Sequence, residues 1–227
     1  MEPAIVIQPE GVRIPRLLPD IETFREWARS DDFPERGRID WIGGEVEVDM
    51  SPEDITTHGT LKSAVSRQLG NLIEDSDRGV VLIDRARLSS PSGDLSVEPD
   101  VVVILTESMR SGRVRLIPKA GAREGRFIEI EGAADLVVEC VSDSSKKKDR
   151  ERLPARYFAA GVREYWVADG RVDPVALVLY RRGRDRYVET RPDSDGFRRS
   201  QILGRSVRIV RIPMELGLVR FRMDVRP

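Results

Sequence analysis

Two acidic residues of this chain stand in or beside apolar stretches that are typical of buried strands. Asp100 precedes five apolar residues at 101–105, and Glu139 interrupts the apolar stretch 136–141. An ionised carboxylate is costly to bury unless it is paired with a cation or binds a metal. Two carboxylates that converge from neighbouring strands form a hard-oxygen site suited to Mg²⁺ or Mn²⁺. The pair therefore favours a divalent-metal site.

Each acid alone also has a purely structural interpretation. In this interpretation Asp100, which follows Pro99, is a turn residue, and Glu139 forms an ion pair with an arginine distant in sequence. No lysine or arginine stands within either strand, and the basic segment 146–156 follows Glu139 closely. These two observations together tip the interpretation towards a functional site.

Glu45 and His58 are weaker candidates. Glu45 follows a double glycine and shares one strand face with Glu47 and Asp49, so the usual interpretation is a solvated face; the alternative is a further metal or water ligand. His58 is the single histidine and lies near the inward stripe of a predicted helix. Such a residue is usually a core or cap residue, and the alternative is contact with a phosphate or a metal-bound water.

Other chemistries lack support. Cys140 is expected to face away from Glu139 and has no thiol-nucleophile motif, and the serines at 142, 144 and 145 lack a Gly-x-Ser-x-Gly setting. Phosphate-binding and dinucleotide-binding glycine patterns do not occur. One cysteine and one histidine cannot make a structural zinc site.

The elements that must position these residues form a mixed α/β (α+β) domain, with one central mixed sheet flanked by helices. Gly43-Gly44 between two alternating segments predicts a tight hairpin. Residues 1–20 are predicted to be an irregular lead-in, 21–190 the domain and 191–227 a β extension packed on it, with 106–125 mostly an excursion from the core. Periodicity predicts helices at 21–29, 55–75 and 149–160, and strands at 80–88, 101–105, 127–130, 136–141, 164–168, 175–180, 187–190, 207–210 and 218–223.

Composition restricts the partners and the location. A net charge of −1 excludes a globally basic nucleic-acid binder but allows a local basic patch. One basic cluster comprises Lys146, Lys147, Lys148, Arg150, Arg152 and Arg156. One cysteine favours a reducing cytoplasm, and no apolar stretch reaches the ~20 residues of a membrane span. Residues 1–8 lack a basic segment, so no signal peptide is expected.

Five segments in order resemble the Uma-two family of restriction endonucleases: 44–52, 58–59, 97–103, 135–142 and 157–167. The resemblance implies a restriction-endonuclease-like core of the PD-(D/E)XK superfamily, whose central sheet carries an Asp and a Glu that bind Mg²⁺, with a lysine nearby. Pro99-Asp100 matches the PD element and Glu139 the second acid. Glu45 and His58 match the family's additional acidic and histidine positions.

The sequence departs from that pattern at the lysine. Val141 stands two residues after Glu139, where the motif has lysine, and Leu153 stands at the helix position that often supplies it in the family. Arg152 is then the expected charge-stabilising residue, although a permanently charged guanidinium transfers protons poorly. Lys146, Lys147 or Lys148 folding back is the alternative.

The leading hypothesis is a Mg²⁺- or Mn²⁺-dependent endonuclease acting on DNA. Asp100, Glu139 and the Cys140 carbonyl are the expected metal ligands, and Arg152 is expected to offset charge. Glu45 and His58 are expected to orient water or phosphate, and the nucleic-acid backbone is expected to bind at Lys146, Lys147, Lys148 and Arg150.

A different class, suggested by the missing lysine, is a non-catalytic nucleic-acid-binding or protein-interaction domain. A third idea is that the tail 196–227 makes a homodimer, which suits an enzyme that cuts both strands.

Overall fold

The computed structural model describes residues 4–7, 11–121 and 123–227. The helices of this part of the chain are α1 (Ile21–Ala28), α2 (Thr60–Ile73), α3 (Thr106–Arg110) and α4 (Leu153–Ala160). Its strands are β1 (Ala4–Ile7), β2 (Val12–Pro15), β3 (Arg38–Ile42), β4 (Glu45–Asp49), β5 (Gly79–Ile83), β6 (Leu88–Ser90), β7 (Leu95–Val97), β8 (Val101–Leu105), β9 (Val114–Pro118), β10 (Phe127–Gly132), β11 (Leu136–Cys140), β12 (Glu164–Asp169), β13 (Ala176–Arg182), β14 (Tyr187–Glu189), β15 (Arg198–Ser200), β16 (Arg205–Pro213) and β17 (Val219–Arg226).

A six-stranded mixed sheet in the order β14-β13-β12-β11-β8-β5 forms the centre, and we call it the core sheet. Its middle strand β11 pairs in parallel with β12 and antiparallel with β8. One face packs on α2 and the three-stranded sheet β15-β16-β17. The other face packs on α4 and a second large sheet. Covering on both faces explains why β8 and β11 are almost uniformly apolar.

The second large sheet has the order β4-β3-β7-β6-β10-β9, so two six-stranded sheets stand where the sequence predicted one. Its β3–β4 hairpin is the predicted one, with positive φ angles of 64° at Gly43 and 85° at Gly44. The predicted strand 80–88 is divided between the two sheets. The division falls at Asp84 and Arg85, whose φ angles of 41° and 48° break the extended backbone.

Two helices begin with a wider, π-helical turn that the periodicity did not predict. Residues Ile55–Gly59 form such a turn before α2, and Lys148–Arg152 form another before α4. Pro154 lies at the start of α4, directly after the second of these turns. Both turns carry residues of the candidate site.

Regular structure occurs in the predicted irregular lead-in and in the predicted excursion from the core. Within the predicted lead-in, β1 and β2 form an antiparallel pair, and the predicted excursion 106–125 contains α3 and β9. The remaining parts of these predictions, at residues 1–3, 8–10 and 122, lie outside the described residues. Among the described helices, none has the length and apolar character needed to cross a membrane.

Candidate metal and nucleic-acid site

Asp100 lies at the start of β8 and is 1% exposed. Its Oδ1 accepts a hydrogen bond from Arg38 Nη2 at 2.9 Å. Its Oδ2 accepts one from the backbone N–H of Cys140 at 2.7 Å and lies 3.2 Å from His58 Nε2. Burial raises the pKa of Asp100, but the hydrogen bond with His58 and the charge of Arg38 outweigh burial and hold that pKa well below its usual range.

Glu139 lies opposite Asp100 across the β8–β11 ladder. The antiparallel register pairs Val138 with Val101, and the next position on each strand is Glu139 and Asp100. Opposed residues of such a pair share one sheet face, so two buried carboxyl groups converge. Burial, and then the charge of Asp100, raise the pKa of Glu139 well above its usual range. Glu139 Oε1 accepts a hydrogen bond from the Tyr157 hydroxyl on α4 at 2.7 Å.

Lys148 brings a buried ammonium group to these acids. It is 5% exposed, and its Nζ lies 3.2 Å from Asp40 Oδ2 and 3.6 Å from Glu47 Oε1. Burial lowers the pKa of Lys148, but the charges of Asp40, Glu139 and Asp149 together outweigh burial, so the net pKa shift is upward and favours the charged side chain. Among the charges near Glu139, those of Arg38 and Lys148 oppose the rise of its pKa.

Asp149 is a third buried acid next to the pair. Its Oδ2 accepts a hydrogen bond from Ser145 Oγ at 2.5 Å. Its Oδ1 is buried and has no hydrogen-bond partner in the described part of the chain. Burial raises the pKa of Asp149 to about 6, and the charge of Asp100 adds to this rise. An unpaired, buried carboxylate oxygen beside two other acids is a place where a cation would be stabilised.

His58 connects Asp100 to a second carboxylate. Asp54 caps the turn that carries His58, its Oδ1 accepting hydrogen bonds from the N–H groups of Thr56 and Thr57 at 2.8 and 3.2 Å. His58 Nδ1 lies 2.9 Å from Glu53 Oε1. Burial lowers the pKa of His58, but the hydrogen bond and charge of Asp100 outweigh it, and the net pKa lies above its ordinary value. The two acids therefore make this imidazole easier to protonate than a free histidine.

A cleft of about 300 Å³ opens in front of this group. Arg38 and His58, the two side chains bonded to Asp100, form part of its lining, together with Arg85. Ser142 and Ser144 also line it, as do two acids, Asp49 and Glu53. The Glu53 carboxylate is paired with His58 and Lys62, and the cationic and hydroxyl donors of the lining are suited to an anionic ligand such as a phosphate.

Comparison with known proteins decides the family. The sequence pattern of the Uma2 family, described as "Putative restriction endonuclease", matches residues 21–210. The chain belongs to the Uma2 family. A crystal structure of "a putative nuclease belonging to DUF820" from Anabaena variabilis has a similar fold, with a TM-score of 0.59 and 15% sequence identity. The similarity covers 82% of this chain and 90% of that one. No curated protein matches the chain.

Leu153, at the position where the resemblance predicts a lysine, is buried in the apolar cluster on the α4 side of the core sheet together with Tyr157 and Ala160. No ammonium group is therefore supplied from that position. Of the three lysines expected to fold back, Lys148 does so, whereas Lys146 and Lys147 are exposed. Lys148 reaches the acids from the turn that precedes the helix. Its predicted role as a surface contact to nucleic acid does not fit its burial.

Arg152 and Glu45 lie apart from the acid pair. Arg152 Nη2 bonds to Glu45 Oε2 at 2.8 Å, and its Nη1 bonds to Glu47. Neither residue has a described contact with Asp100 or Glu139, so the expected charge role of Arg152 beside the pair is not supported by its position. Lys148, which also approaches Glu47, is the cation that enters the group. Arg150 is exposed and pairs with Asp169 at 2.9 Å.

Sequence reasoning missed Arg38, Asp40, Asp149 and Tyr157. Arg38 and Asp40 alternate with Ile39 and Trp41, a pattern typical of a solvated strand face, yet Asp40 is buried. The structural interpretation of Glu139 predicts a distant arginine as its partner; the arginine at this place, Arg38, forms its ion pair with Asp100. Cys140 faces the α2 side of the core sheet, away from Glu139, as predicted.

The donor chemistry of the pair fits a hard divalent cation, since Asp100, Glu139 and the unpaired Asp149 oxygen are all carboxylate groups. The backbone carbonyl of Cys140 follows Glu139 directly and is a further oxygen donor. Across residues 4–7, 11–121 and 123–227, no group of three or more His, Cys, Asp or Glu side chains is arranged to hold a metal ion. The acids are instead balanced by Arg38 and Lys148.

Proposed function

We propose that this chain is a Mg²⁺- or Mn²⁺-dependent endonuclease that hydrolyses phosphodiester bonds of DNA. The observation that carries the proposal is the pair of buried carboxyl groups, Asp100 and Glu139, on facing strand positions with Lys148 beside them. Membership of the Uma2 family supports a nuclease. Repulsion between the two acids, relieved by a bound cation, supports the metal.

Asp100 and Glu139, with the Cys140 carbonyl, would hold the ion. When bound, the ion polarises the scissile phosphate and lowers the pKa of the attacking water. Tyr157 orients Glu139 through its 2.7 Å hydrogen bond. Lys148 supplies positive charge next to Glu139, where negative charge increases as the phosphate reacts.

Arg38 and His58 belong to the substrate side of the site. Both bond to Asp100 and both line the cleft. A guanidinium group pairs well with two phosphate oxygens. Both ring nitrogens of His58 are already within hydrogen-bond distance of Glu53 and Asp100, so His58 would offer a phosphate positive charge and not a further hydrogen bond. Arg38 would therefore share its donors between Asp100 and a phosphate that enters the cleft.

Plasmid cleavage in Mg²⁺ or Mn²⁺ tests the proposal. We expect Asp100→Ala and Glu139→Ala to lower the cleavage rate by about 10²–10³-fold or more, the size seen when one electrostatic group is removed from an active site. Asp185→Ala, a change of an exposed acid in the β13–β14 turn, is the matched control. Equal rates in all variants, or no cleavage with either metal, would exclude the proposal.

A second candidate is a nuclease-fold domain that binds nucleic acid or protein without cutting. Both Asp100 oxygens already have protein partners, and Leu153 fills the usual lysine position, which favours this alternative. Calorimetry separates the two. The nuclease is expected to bind Mn²⁺ with an affinity that falls in Asp100→Ala, whereas the binding-only domain is expected to bind DNA in EDTA and to show no Mn²⁺ binding that depends on Asp100.

A further inference from the structure

A groove lies beside the candidate site, between α2 and the β16–β17 hairpin. It has a volume of about 730 Å³. Arg67 projects into it from α2, and Arg220 and Arg222 line it from β17. Arg222 pairs with Asp224 at 2.6 Å, whereas Arg67 and Arg220 have no acidic partner among the described residues. Two unpaired guanidinium groups on opposite walls fit an extended anionic ligand.

This groove is continuous with the candidate site. Glu53 lines both the groove and the cleft in front of Asp100. Its Oε1 accepts a hydrogen bond from Lys62 Nζ at 2.7 Å on the groove side and lies 2.9 Å from His58 Nδ1 on the cleft side. A polymer that occupied both the cleft and the groove would therefore pass Glu53 and reach the groove wall that carries Arg67 and Arg220.

The tip of the β16–β17 hairpin lies beyond the groove-lining residues Ile212 and Arg220 and carries exposed apolar side chains. Met214, Leu216 and Leu218 are 50%, 96% and 48% exposed. The tip is closed by a hydrogen bond from the N–H of Met214 to the carbonyl of Leu218 at 2.9 Å. Leu216 has a φ of 60°, a conformation that is costly for leucine and that is found mainly where function or surrounding structure requires it.

The cations on the groove walls and the aliphatic side chains at the hairpin tip are together suited to nucleic acid. Phosphates of nucleic acid need the cations, and its stacked base pairs accept an apolar wedge from the minor groove. Single strands are typically bound by stacking on exposed aromatic rings. The aromatic residue in the lining is Phe221, which is buried. The aliphatic tip therefore favours a duplex.

We propose that the groove between α2 and the β16–β17 hairpin binds the backbone of duplex DNA, with Arg67 and Arg220 on phosphates and Leu216 inserted between base pairs. The proposal rests on the proposed nuclease function and adds a binding surface for its substrate. It differs from the basic cluster at 146–150, because it uses residues from α2 and the C-terminal hairpin.

Fluorescence anisotropy with a labelled 30-base-pair duplex in EDTA tests the groove without cleavage. We expect Arg67→Ala and Arg220→Ala each to weaken binding and to make the slope of log affinity against log salt less negative by about 0.9. Arg184→Ala, in the turn between β13 and β14, changes an exposed arginine on the opposite edge of the core sheet and is the matched control.

Leu216→Ser tests the tip and is expected to weaken duplex binding without changing the salt slope, since no charge is removed. Leu17→Ser, which changes another exposed leucine, is its control. If Arg67→Ala and Arg220→Ala bind duplex DNA with the wild-type affinity and the wild-type salt dependence, the proposal that the groove binds DNA is wrong. If Leu216→Ser binds duplex DNA as tightly as the wild type, or loses as much affinity for single-stranded DNA as for duplex DNA, the proposal that Leu216 inserts between base pairs is wrong.

The test also separates this inference from the proposed function. If the wild type binds duplex DNA and the groove variants bind equally well, the groove inference fails and the nuclease proposal stands. If the groove variants lose binding but Asp100→Ala cleaves as well as the wild type, the groove inference stands and the metal-dependent nuclease fails. If the wild type binds no nucleic acid, both fail.

Discussion

Lys148 is the residue whose position most changes the chemistry of the site. Its neighbours Lys146 and Lys147 are exposed, but Lys148 is turned inward by the π-helical turn Lys148–Arg152. A buried ammonium group is stable only where carboxylates surround it. Asp40, Glu47, Glu139 and Asp149 provide these carboxylates.

At this scale we predict that Lys148→Met lowers the free energy of unfolding by about 3–5 kcal/mol, because it leaves Asp40 buried without its cation. Lys147→Met, at the preceding exposed position, is expected to change that free energy by less than about 0.5 kcal/mol. Urea denaturation measures both.

The double variant Asp40→Asn with Lys148→Met is expected to recover part of the lost stability, since it removes the unpaired charge. Asp40 also accepts a hydrogen bond from the Glu98 N–H at 3.1 Å, which asparagine retains. Equal stability of the Lys148 and Lys147 variants would mean that the Lys148–Asp40 pair contributes little.

The short turns before α2 and α4 matter more to the site than the helices that follow them. Residues Ile55–Gly59 carry His58, and Lys148–Arg152 carry Lys148 and Asp149. A wider turn changes the direction of its side chains relative to the periodicity of the following α-helix. Each turn therefore aims a charged group at the core sheet.

For the first turn we predict that Asp54→Ala lowers the free energy of unfolding by about 1 kcal/mol, since the Thr56 and Thr57 N–H groups lose their acceptor. Because the chain has one histidine, the imidazole Hε1 proton gives one NMR signal that reports on this turn. We expect the signal to shift in Asp54→Ala.

Asp75→Ala, beyond the end of α2, is the control for Asp54→Ala and is expected to leave the His58 signal unchanged. A His58 signal that is the same in both variants would show that Asp54 does not hold the turn in place.

At the scale of the whole molecule, the three-stranded sheet β15-β16-β17 is part of the core. Val207, Ile209, Phe221 and Met223 pack in the same apolar cluster as α2 and the core sheet. The apolar face of this sheet is therefore buried against other elements of the same chain. Dimerisation through the tail 196–227 stays a prediction, which native mass measurement of the full chain tests.

Glu164 ties this sheet to the core sheet. Its Oε2 accepts a hydrogen bond from Ser200 Oγ at 2.8 Å, and its Oε1 accepts one from the N–H of Ile202 at 3.1 Å. Burial raises the pKa of Glu164 above its usual value, although these hydrogen bonds oppose the rise. The folded state therefore holds the proton more tightly than the unfolded state does.

From this shift we predict the sign of a pH effect. Stability contributed by Glu164 is fully present below its unfolded pKa of about 4.3 and is lost as the pH rises through the higher folded pKa. The free energy of unfolding of the wild type should therefore fall relative to that of Glu164→Gln as the pH rises above about 4. Urea denaturation across a pH series measures this difference.

Glu26→Gln, on the exposed face of α1, is the control for a change of charge at the surface. A wild-type stability that rises with pH relative to Glu164→Gln would contradict the sign of this prediction.

Local sequence predicts part of the candidate site. Asp100 and Glu139 stand out because one borders and the other interrupts an apolar run, where a buried carboxylate is costly. The hairpin was found because two adjacent glycines adopt the positive φ angles of a tight turn. The Uma2 resemblance came from short segments in order and is confirmed by the family match.

Only the tertiary structure shows which cationic side chains pair with the buried acids. Arg38 is 62 residues from Asp100, and Lys148 is 108 residues from Asp40. A charged side chain next to apolar residues has the same local pattern whether it faces water or a buried acid. The register of β8 against β11 brings the acids together, and the packing of the second large sheet and the turn before α4 brings Arg38 and Lys148 to them. The sequence by itself thus determined which carboxylates are costly to bury, and the fold decided which cations make that burial stable, because ion pairing depends on distance in space and not along the chain.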